Sequence, residues 1–451
     1  MIGCFEAASG YKLNENTGLV VEHPSYMATK IFYRAHKGDR IRVKNDAFAM
    51  AVATYSDKIP QQYMYTYTYA DEQNWSTYQG DFSENSFTQS EKEFNNDCWF
   101  RVCVKRLDGI PCSDNDARQI NNIIEYIYNS EEIPDNNIPV YYRDEIKVTA
   151  EEASKKVDKE KSLVFCLLSD SHCTVNGTWH TTMKNIKLLS ENIKLDGIIH
   201  LGDLQDGMLD KEMCRRITKS CIDDMCRINS RLYLAIGNHD TNYFHENPEW
   251  LTVEEQYDLY GKFNDLYVNR EGINGYYYVD FENVKLRMIV LTSFDRNQKL
   301  RYGFSDEEVE WVRKTLKDTS EGYKVMVLSH DAPLARLDYW ASEIRNGDRL
   351  MEILEAFHNE SGKEILAFIH GHTHADFVYN ERSFPIISIG CSKIEYFPDK
   401  KPEGAVRYMR KLDDLTQELW DVLIVTPEKR ELNFVRFGAG EDRTIRNGEV
   451  V

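Results

Sequence analysis

The sequence lacks any run of about 18 consecutive apolar residues, and its N-terminus, MIGCFEAASGYKL, has neither a basic start nor a long apolar segment. A transmembrane helix needs such an apolar run, and a secretory signal peptide needs a basic start followed by an apolar segment. We therefore expect no membrane span and no signal peptide, and we expect a cytoplasmic protein.

Paired-cysteine motifs and an excess of positive charge are also missing. None of the 10 cysteines lies in C-x-x-C spacing, which excludes a zinc ribbon or a thioredoxin-like motif and favours free thiols in a reducing compartment. The formal net charge is -19. Because binding along a nucleic-acid backbone needs a basic surface, nucleic acid is only a secondary candidate substrate.

What is present is typical of a folded protein of two or three domains: 451 residues, 42% hydrophobic and 12% aromatic. From residue 18 to about 106, short apolar segments such as FAMAVATYS and CWFRVCVKR are separated by turn residues, which predicts strands. The segment 116–129 has helical periodicity. We predict an accessory all-β, sandwich-like domain over 1–130, closed by this helix.

A charged stretch over 131–160 follows. It holds Thr149 and Glu152 in a capping-box pattern, which predicts a solvated helical linker. From 161 strands and helices alternate, which predicts an α/β domain over 161–451 that includes the C-terminal strands. Within it we expect a hairpin over 275–293 and a helix capped at Ser305, with Glu308 three residues on.

Short polar clusters follow the apolar strands of this second domain. They are Asp170 and His172 in SDSH, Asp203 and Asp206 in GDLQD, Asn238 in GNHD, His330 in LSHD, and His372 and His374 in GHTH. Ligands bind at the carboxyl ends of strands in α/β sheets, so these ends are expected to converge. Asp, His and Asn donors without thiolate suit Mn, Fe or Zn. They are too many for one tetrahedral ion, and two ions sharing a carboxylate would use them all.

In chain order the clusters match the pattern D-x-H, GD-x-x-D, GNH[DE], H and GH-x-H. By this pattern, residues 161–395 resemble the calcineurin-like metallophosphoesterase superfamily. The resemblance implies a two-sheet sandwich flanked by helices (αββα) that carries two divalent ions, or an Fe(III)/divalent pair. One ion would be held by Asp170, His172, Asp203 and His374, and the other by Asp203, Asn238, His330 and His372.

The resemblance also implies hydrolysis of a phosphodiester or phosphomonoester by a metal-bound hydroxide. His239 matches the family's general acid. Asp206 matches the carboxylate that orients this histidine, and pairing with Asp206 would raise the pKa of His239. The GNHD form of the third motif resembles phosphodiesterase branches more than protein-phosphatase branches. His180 and His245, on loops after ligand strands, are candidate substrate contacts, with surface loop residues as the alternative.

Other polar or aromatic residues are interpreted as structural. His370 belongs to the apolar strand ILAFIH and is predicted to support the site without binding metal; His200 and Asp331 are given structural roles and Cys173 a bystander role. Tyr63, Tyr65, Tyr67 and Tyr69 would line one face of a strand, as ordinary packing or as a carbohydrate-binding platform.

Three functions remain in view. The first is a metal-dependent esterase acting on a small phosphate ester or a nucleotide. The second is a nuclease of the same superfamily, which the acidic charge disfavours. The third is a phage-associated binding or structural protein with a vestigial phosphoesterase domain, for which the N-terminal module and a surface location would fit. Such a domain would be expected to have lost ligands, and none of the predicted ligands is missing.

Overall fold

In a computed structural model of the protein, the structure describes residues 5, 7–29, 32–35, 37–56, 78–127, 138–173, 178–360, 362–394, 405–406 and 408–451. Two compact units are present: Met1–Asn137 with Cys173–Gly177 and Leu209–Ile217, and Ile138–His172 with Thr178–Met208 and Thr218–Val451. The predicted tyrosine-lined strand, Tyr63 to Tyr69, lies outside the described residues.

The first unit is built from antiparallel strands. They are β1 (Ala7–Leu13), β2 (Val20–Thr29), β3 (Tyr33–Ala35), β4 (Arg40–Val43), β5 (Phe48–Tyr55), β6 (Lys92–Glu93), β7 (Cys98–Arg106) and β8 (Ile124–Ile127). One sheet has the order β1-β2-β7-β3 with β5 also on β7, and the other has the order β6-β4-β8. Ile41, Phe100 and Tyr126, from both sheets, share one buried core. The prediction of an all-β N-terminal region is therefore confirmed.

The helix predicted over 116–129 is wrong in its second half. Only α1 (Asp114–Arg118) and α2 (Ile120–Ile123) are helical, and the chain then enters β8. The β8 sequence IEYI is rich in β-branched and aromatic side chains, and all four of its residues pair with β4. Sheet pairing therefore overrides the apolar periodicity that predicted a helix.

From residue 138 onward helices and strands alternate. The helices are α3 (Val140–Lys156), α4 (Trp179–Ser190), α5 (Lys211–Ile228), α6 (Val253–Gln256), α7 (Asp306–Lys317) and α8 (Gly347–His358). The strands are β9 (Leu163–Leu168), β10 (Gly197–His200), β11 (Leu232–Leu234), β12 (Tyr277–Phe281), β13 (Leu286–Val290), β14 (Lys324–Leu328), β15 (Ile365–His370), β16 (Phe377–Tyr379), β17 (Ile386–Ser388), β18 (Leu419–Thr426), β19 (Glu431–Gly438), β20 (Arg443–Arg446) and β21 (Glu449–Val450). None of the helices in the described part of the chain is both long enough and apolar enough to cross a membrane.

The second unit is an αββα sandwich, as the resemblance implied. Its sheets have the orders β11-β10-β9-β18-β19-β20-β21 and β12-β13-β14-β15-β17-β16. Phe165 and Leu423 of the first sheet meet Met326 of the second in a common core. Val312 of α7 and Leu354 of α8 pack on the other face of the six-stranded sheet. Strands buried on both faces explain the continuous apolar runs LVFCLL and ILAFI.

Residues 140–156 are helical, as the sequence predicted, but one face of the helix is buried, so the segment is not a solvated linker. Tyr142, Ile146 and Ala150 of α3 are buried, and α3 contacts β18 and β19. Thr149 lies inside the helix and is itself buried, so it is not an N-cap. The burial of one helical face outweighs the many charges that suggested a linker.

The predicted hairpin and the predicted cap at Ser305 are both present. β12 and β13 pair antiparallel from Tyr277 to Phe281. Ser305 Oγ accepts the backbone N–H of Glu308 at 3.0 Å. The Glu308 carboxylate does not close a capping box, because it accepts the N–H of Thr292 at 2.7 Å and is buried.

Glu308 makes stability depend on pH. Burial raises the pKa of its carboxyl to about 8, so the folded protein keeps a proton that the unfolded chain loses above its usual value near 4.5. This contribution is fully present below about pH 4.5 and is lost as the pH rises to about 8, by up to about 1.4 kcal/mol per pH unit.

Glu308→Gln keeps a neutral acceptor for Thr292. We expect it to raise the melting temperature at pH 8 by several degrees and to change it little at pH 5. Thermal melting at both pH values checks this expectation. An equal shift at both would show that Glu308 titration does not contribute.

Candidate functional site

Five strands of the second unit lead into the predicted polar clusters. β9 is followed by Asp170 and His172, β10 by Asp203, β11 by Asn238, β14 by His330, and β15 by His372 and His374. β9, β10 and β11 run parallel in one sheet, and β14 and β15 run parallel in the other. The clusters therefore stand at strand carboxyl ends, where loops converge over a rigid platform.

Two groups of donor atoms share Asp203, and a third group, formed by Asp331, Asp338 and His372, shares His372 with the second of them. Ligand atoms within 4.8 Å of one another belong, in one group, to Asp170, His172, Asp203 and His374, and in the other to Asp203, His330 and His372. Asp203 Oδ2 is 3.1 Å from His330 Nε2 and 3.8 Å from His172 Nε2. The second group also receives an amide oxygen, because Asn238 Oδ1 lies 3.2 Å from His330 Nε2. These buried groups can bind metal ions.

The backbone is unusual at these donors. Asp170, His172, Asp203, His372 and His374 all have φ between 37° and 62°. This left-handed region is uncommon for residues with a side chain and costs about 1–3 kcal/mol per residue. The left-handed conformation at these five residues turns their side chains towards the same cluster of donor atoms.

Two glycines make this arrangement possible. Gly202 has a φ of 99°, which only glycine adopts readily, and it precedes Asp203. A Cβ on Gly371 would lie 2.0 Å from Ser169 Oγ and 2.6 Å from Asp170 Oδ2. Any larger residue at 371 would therefore push the carboxylate of Asp170 out of place.

The charges of the site favour a cation. Burial opposes charge on both Asp203 and His330, yet their mutual attraction holds the pKa of the Asp203 carboxyl well below its usual range and raises that of the His330 imidazole. His330 Nδ1 lies 2.8 Å from the carbonyl of Leu201, so its Nε2 faces the cluster. Asp170 Oδ1 lies 3.2 Å from His374 Nε2 but, within the described residues, makes no well-directed hydrogen bond. Converging oxygen and imidazole donors with unsatisfied buried atoms fit divalent ions.

The position of Asp206 corrects one prediction. Its carboxylate is 3.5 Å from His172 Nδ1 and 3.6 Å from Lys393 Nζ, whereas His239 Nδ1 contacts the backbone carbonyl of Asp206 at 2.7 Å. The expected rise in the pKa of His239 is also wrong, because burial lowers it to about 4. The main chain of Asp206, and not its side chain, therefore orients His239.

His239 itself lies beside the shared carboxylate. Its Nε2 is 3.8 Å from Asp203 Oδ2, and its backbone N–H donates to Asp203 Oδ1 at 2.9 Å. Phe244 stacks on the imidazole with ring centres 4.0 Å apart. His245 contacts Phe244 in turn, at 4.2 Å, while His180 lies in the first turn of α4. The structure thus brings His245, through Phe244, close to His239.

Several contacts of the site had no signal in the sequence. Cys391 Sγ is 3.1 Å from the carbonyl of Asp170, and Lys393 reaches Asp206. Asp338 faces His372. Asp240 is the last residue of the GNHD motif, and its carboxylate accepts the N–H groups of Asp203 and Gly237 and so fixes two motif loops together.

The three histidines of FIHGHTHADF divide into one that supports the strand and two that join the donor groups. His370 is fully buried on β15, with Nδ1 3.0 Å from the carbonyl of Gly371 and its ring 5.8 Å from Phe377. Burial lowers its pKa to about 4, which keeps it neutral. His372 and His374 belong to the donor groups.

We expect His372→Ala and His374→Ala each to lower the metal content of purified protein. His370→Ala should keep its metal and lose about 2–5 kcal/mol of stability, as large-to-small core substitutions do. Elemental analysis and thermal melting of the three variants distinguish these effects. Equal metal loss in a folded His370→Ala protein would overturn the division.

Comparisons with known proteins gave the following matches. The family model of the calcineurin-like phosphoesterases matches residues 163–376. The chain matches no curated protein in sequence. Among solved structures, a dimetal phosphatase from Danio rerio is 14% identical and aligns over 63% of this chain and 99% of its own, with a TM-score of 0.46. The phosphopantetheinyl hydrolase of Mycobacterium tuberculosis is 12% identical over 54% of this chain and 99% of its own, with a TM-score of 0.31.

Proposed function

We propose that this chain, whose residues 163–376 match the family model of the calcineurin-like phosphoesterases, hydrolyses a small phosphodiester or phosphomonoester at a centre of two metal ions. The observation that carries this proposal is the pair of buried donor groups that meet at Asp203. A shared carboxylate suits two ions about 3.5–4 Å apart, which is the spacing of two-metal phosphoesterases.

Each group provides the donors for one ion. Asp170, His172, Asp203 and His374 would hold the first, and Asp203, Asn238, His330 and His372 the second. When bound, the two ions lower the pKa of a water molecule and neutralise charge on the phosphoryl group. Oxygen and nitrogen donors without thiolate favour Mn, Fe or Zn.

His239 is the residue that we assign to the leaving group. Its Nδ1–H donates to the carbonyl of Asp206, which fixes the ring and leaves Nε2 facing the cluster. A proton held on Nε2 would pass to the departing oxygen. Because burial lowers the pKa of His239 to about 4, the ring is mostly neutral at neutral pH, and it donates from a minor protonated form that is a stronger acid than free imidazolium.

The substrate is proposed to be small. The net charge of -19 disfavours a nucleic-acid backbone, although two metal ions would still attract a single phosphate. The GNHD form of the third motif favours a phosphodiesterase over a protein phosphatase. His245 contacts Phe244, which stacks on His239, and this position supports a role for His245 in holding the substrate. His180 is the second residue that we propose for this role.

Hydrolysis assays test the proposal. Purified protein should cleave bis-p-nitrophenyl phosphate and p-nitrophenyl phosphate when Mn²⁺ is added, should lose this activity with a chelator, and should leave DNA intact. Chelator-sensitive cleavage of DNA alone would favour the nuclease. No chelator-sensitive turnover of any ester would rule out the enzyme.

A further inference from the structure

Asp338 is a buried carboxylate at the end of a short 3-10 turn, Ala335–Leu337. Its Oδ1 accepts the backbone N–H groups of Trp340 at 2.7 Å and Ala341 at 3.0 Å. These two bonds fix the orientation of the carboxylate, because both donors belong to the main chain. The second oxygen is therefore held in a set direction.

That second oxygen faces a metal-site histidine. Asp338 Oδ2 is 3.6 Å from His372 Nε2, and the side chains of Asp338 and His372 are only 0% and 4% exposed. Within the described residues neither atom has a hydrogen-bond partner. Two buried polar atoms are rarely left unpaired, so a donor at His372 Nε2 and an acceptor at Asp338 match each other.

The other nitrogen of His372 faces the second donor group. Its Nδ1 is 3.1 Å from His330 Nε2, which in turn is close to Asp203 and Asn238. A neutral imidazole carries one proton, and only the nitrogen without it can bind a metal. Asp331 Oδ1 lies 3.4 Å from His372 Nδ1 and would accept a proton placed there. The tautomer of His372 therefore depends on which carboxylate accepts its proton: Asp338 would accept it from Nε2, and Asp331 from Nδ1.

We propose that Asp338 is a positioning residue that holds the proton of His372 on Nε2 and so leaves Nδ1 free for the second metal ion. The inference rests on the proposed two-metal function and assigns to it a residue outside the sequence motifs. Carboxylates that hold the second nitrogen of a ligand histidine fix its tautomer and ring orientation.

Asp338→Asn tests the proposal because it reverses the polarity of this contact. The amide oxygen must still accept the two backbone N–H groups, so the amide NH₂ turns towards His372 Nε2 and favours the proton on Nδ1. Mn²⁺ titration of the full-length protein by calorimetry should then show the second ion bound at least about tenfold more weakly, with the first unchanged. Asp414→Asn is the matched control, since Asp414 Oδ1 likewise accepts a backbone N–H two residues on, from Thr416 at 2.7 Å.

A measurement on the wild-type protein keeps the test independent of how the variant folds. Nitrogen-15 NMR of metal-free, histidine-labelled protein should show His372 with its proton on Nε2, the signal being assigned by its loss in His372→Ala. A proton on Nδ1, or unchanged affinity for both ions in Asp338→Asn, would overturn the inference.

Two other outcomes would contradict the inference for different reasons. Three Mn²⁺ ions in the wild type, with equal loss in Asp331→Asn and Asp338→Asn, would mean that both carboxylates and His372 form a cation site of their own, against the proposal. A wild-type protein that binds no Mn²⁺ would instead refute the two-metal function on which the inference rests.

Discussion

Asp203→Asn is expected to lower the metal content of the purified protein from two ions to fewer than one per chain and to reduce ester hydrolysis to background. Asp203 is the one residue that belongs to both donor groups. Its carboxylate is buried, and its negative charge is balanced by the imidazole of His330, whose Nε2 lies 3.1 Å from Oδ2. A neutral amide of the same shape keeps the volume of the side chain but cannot bridge two cations.

The control for this variant is Asp196→Asn. Asp196 precedes β10, the strand that leads to Asp203, and its carboxylate accepts the N–H of Val164 at 2.8 Å. It belongs to neither donor group. This variant should keep two ions and full activity, measured by elemental analysis and by hydrolysis of bis-p-nitrophenyl phosphate. If Asp203→Asn kept both ions, a shared bridging carboxylate would be excluded.

His239→Ala is expected to keep both metal ions and to slow hydrolysis of esters with poor leaving groups by about 10²–10⁴-fold. The imidazole is held by the carbonyl of Asp206 and by stacking on Phe244, and it belongs to neither donor group. An alkyl oxygen needs a proton to depart, whereas p-nitrophenolate departs without one. Turnover of p-nitrophenyl esters should therefore fall much less.

The ratio of the two rates is the internal control, because misfolding or metal loss would reduce both equally. Steady-state kinetics on an alkyl phosphate ester and on its p-nitrophenyl counterpart give this ratio. An equal loss on both substrates, at unchanged metal content, would assign His239 to substrate binding and not to proton transfer.

The sequence predicted the site residues that lie immediately after the ends of the strands. Asp170, Asp203 and His372 stand directly after apolar strands, and the family resemblance that their ordered motifs carry implied both the sandwich and the grouping around Asp203. His370 could be separated from its neighbours because it precedes Gly371 inside a continuous apolar run.

Other features depend on contacts between distant segments. Asp338 reaches His372 from 34 positions away in the chain, in a turn without a motif. The Asp206 carboxylate lies near His172 and Lys393, whereas the backbone carbonyl of Asp206 contacts His239. The charges of α3 hid its buried face, and the pairing of β8 with β4 replaced a predicted helix.

Electron paramagnetic resonance of the Mn²⁺-loaded protein, combined with elemental analysis, tests the two-metal centre most directly. We predict two Mn²⁺ ions per chain and a spectrum of two exchange-coupled ions bridged by one carboxylate, which Asp203→Asn abolishes. One ion per chain, or two ions that give only uncoupled signals, would contradict a centre built around Asp203.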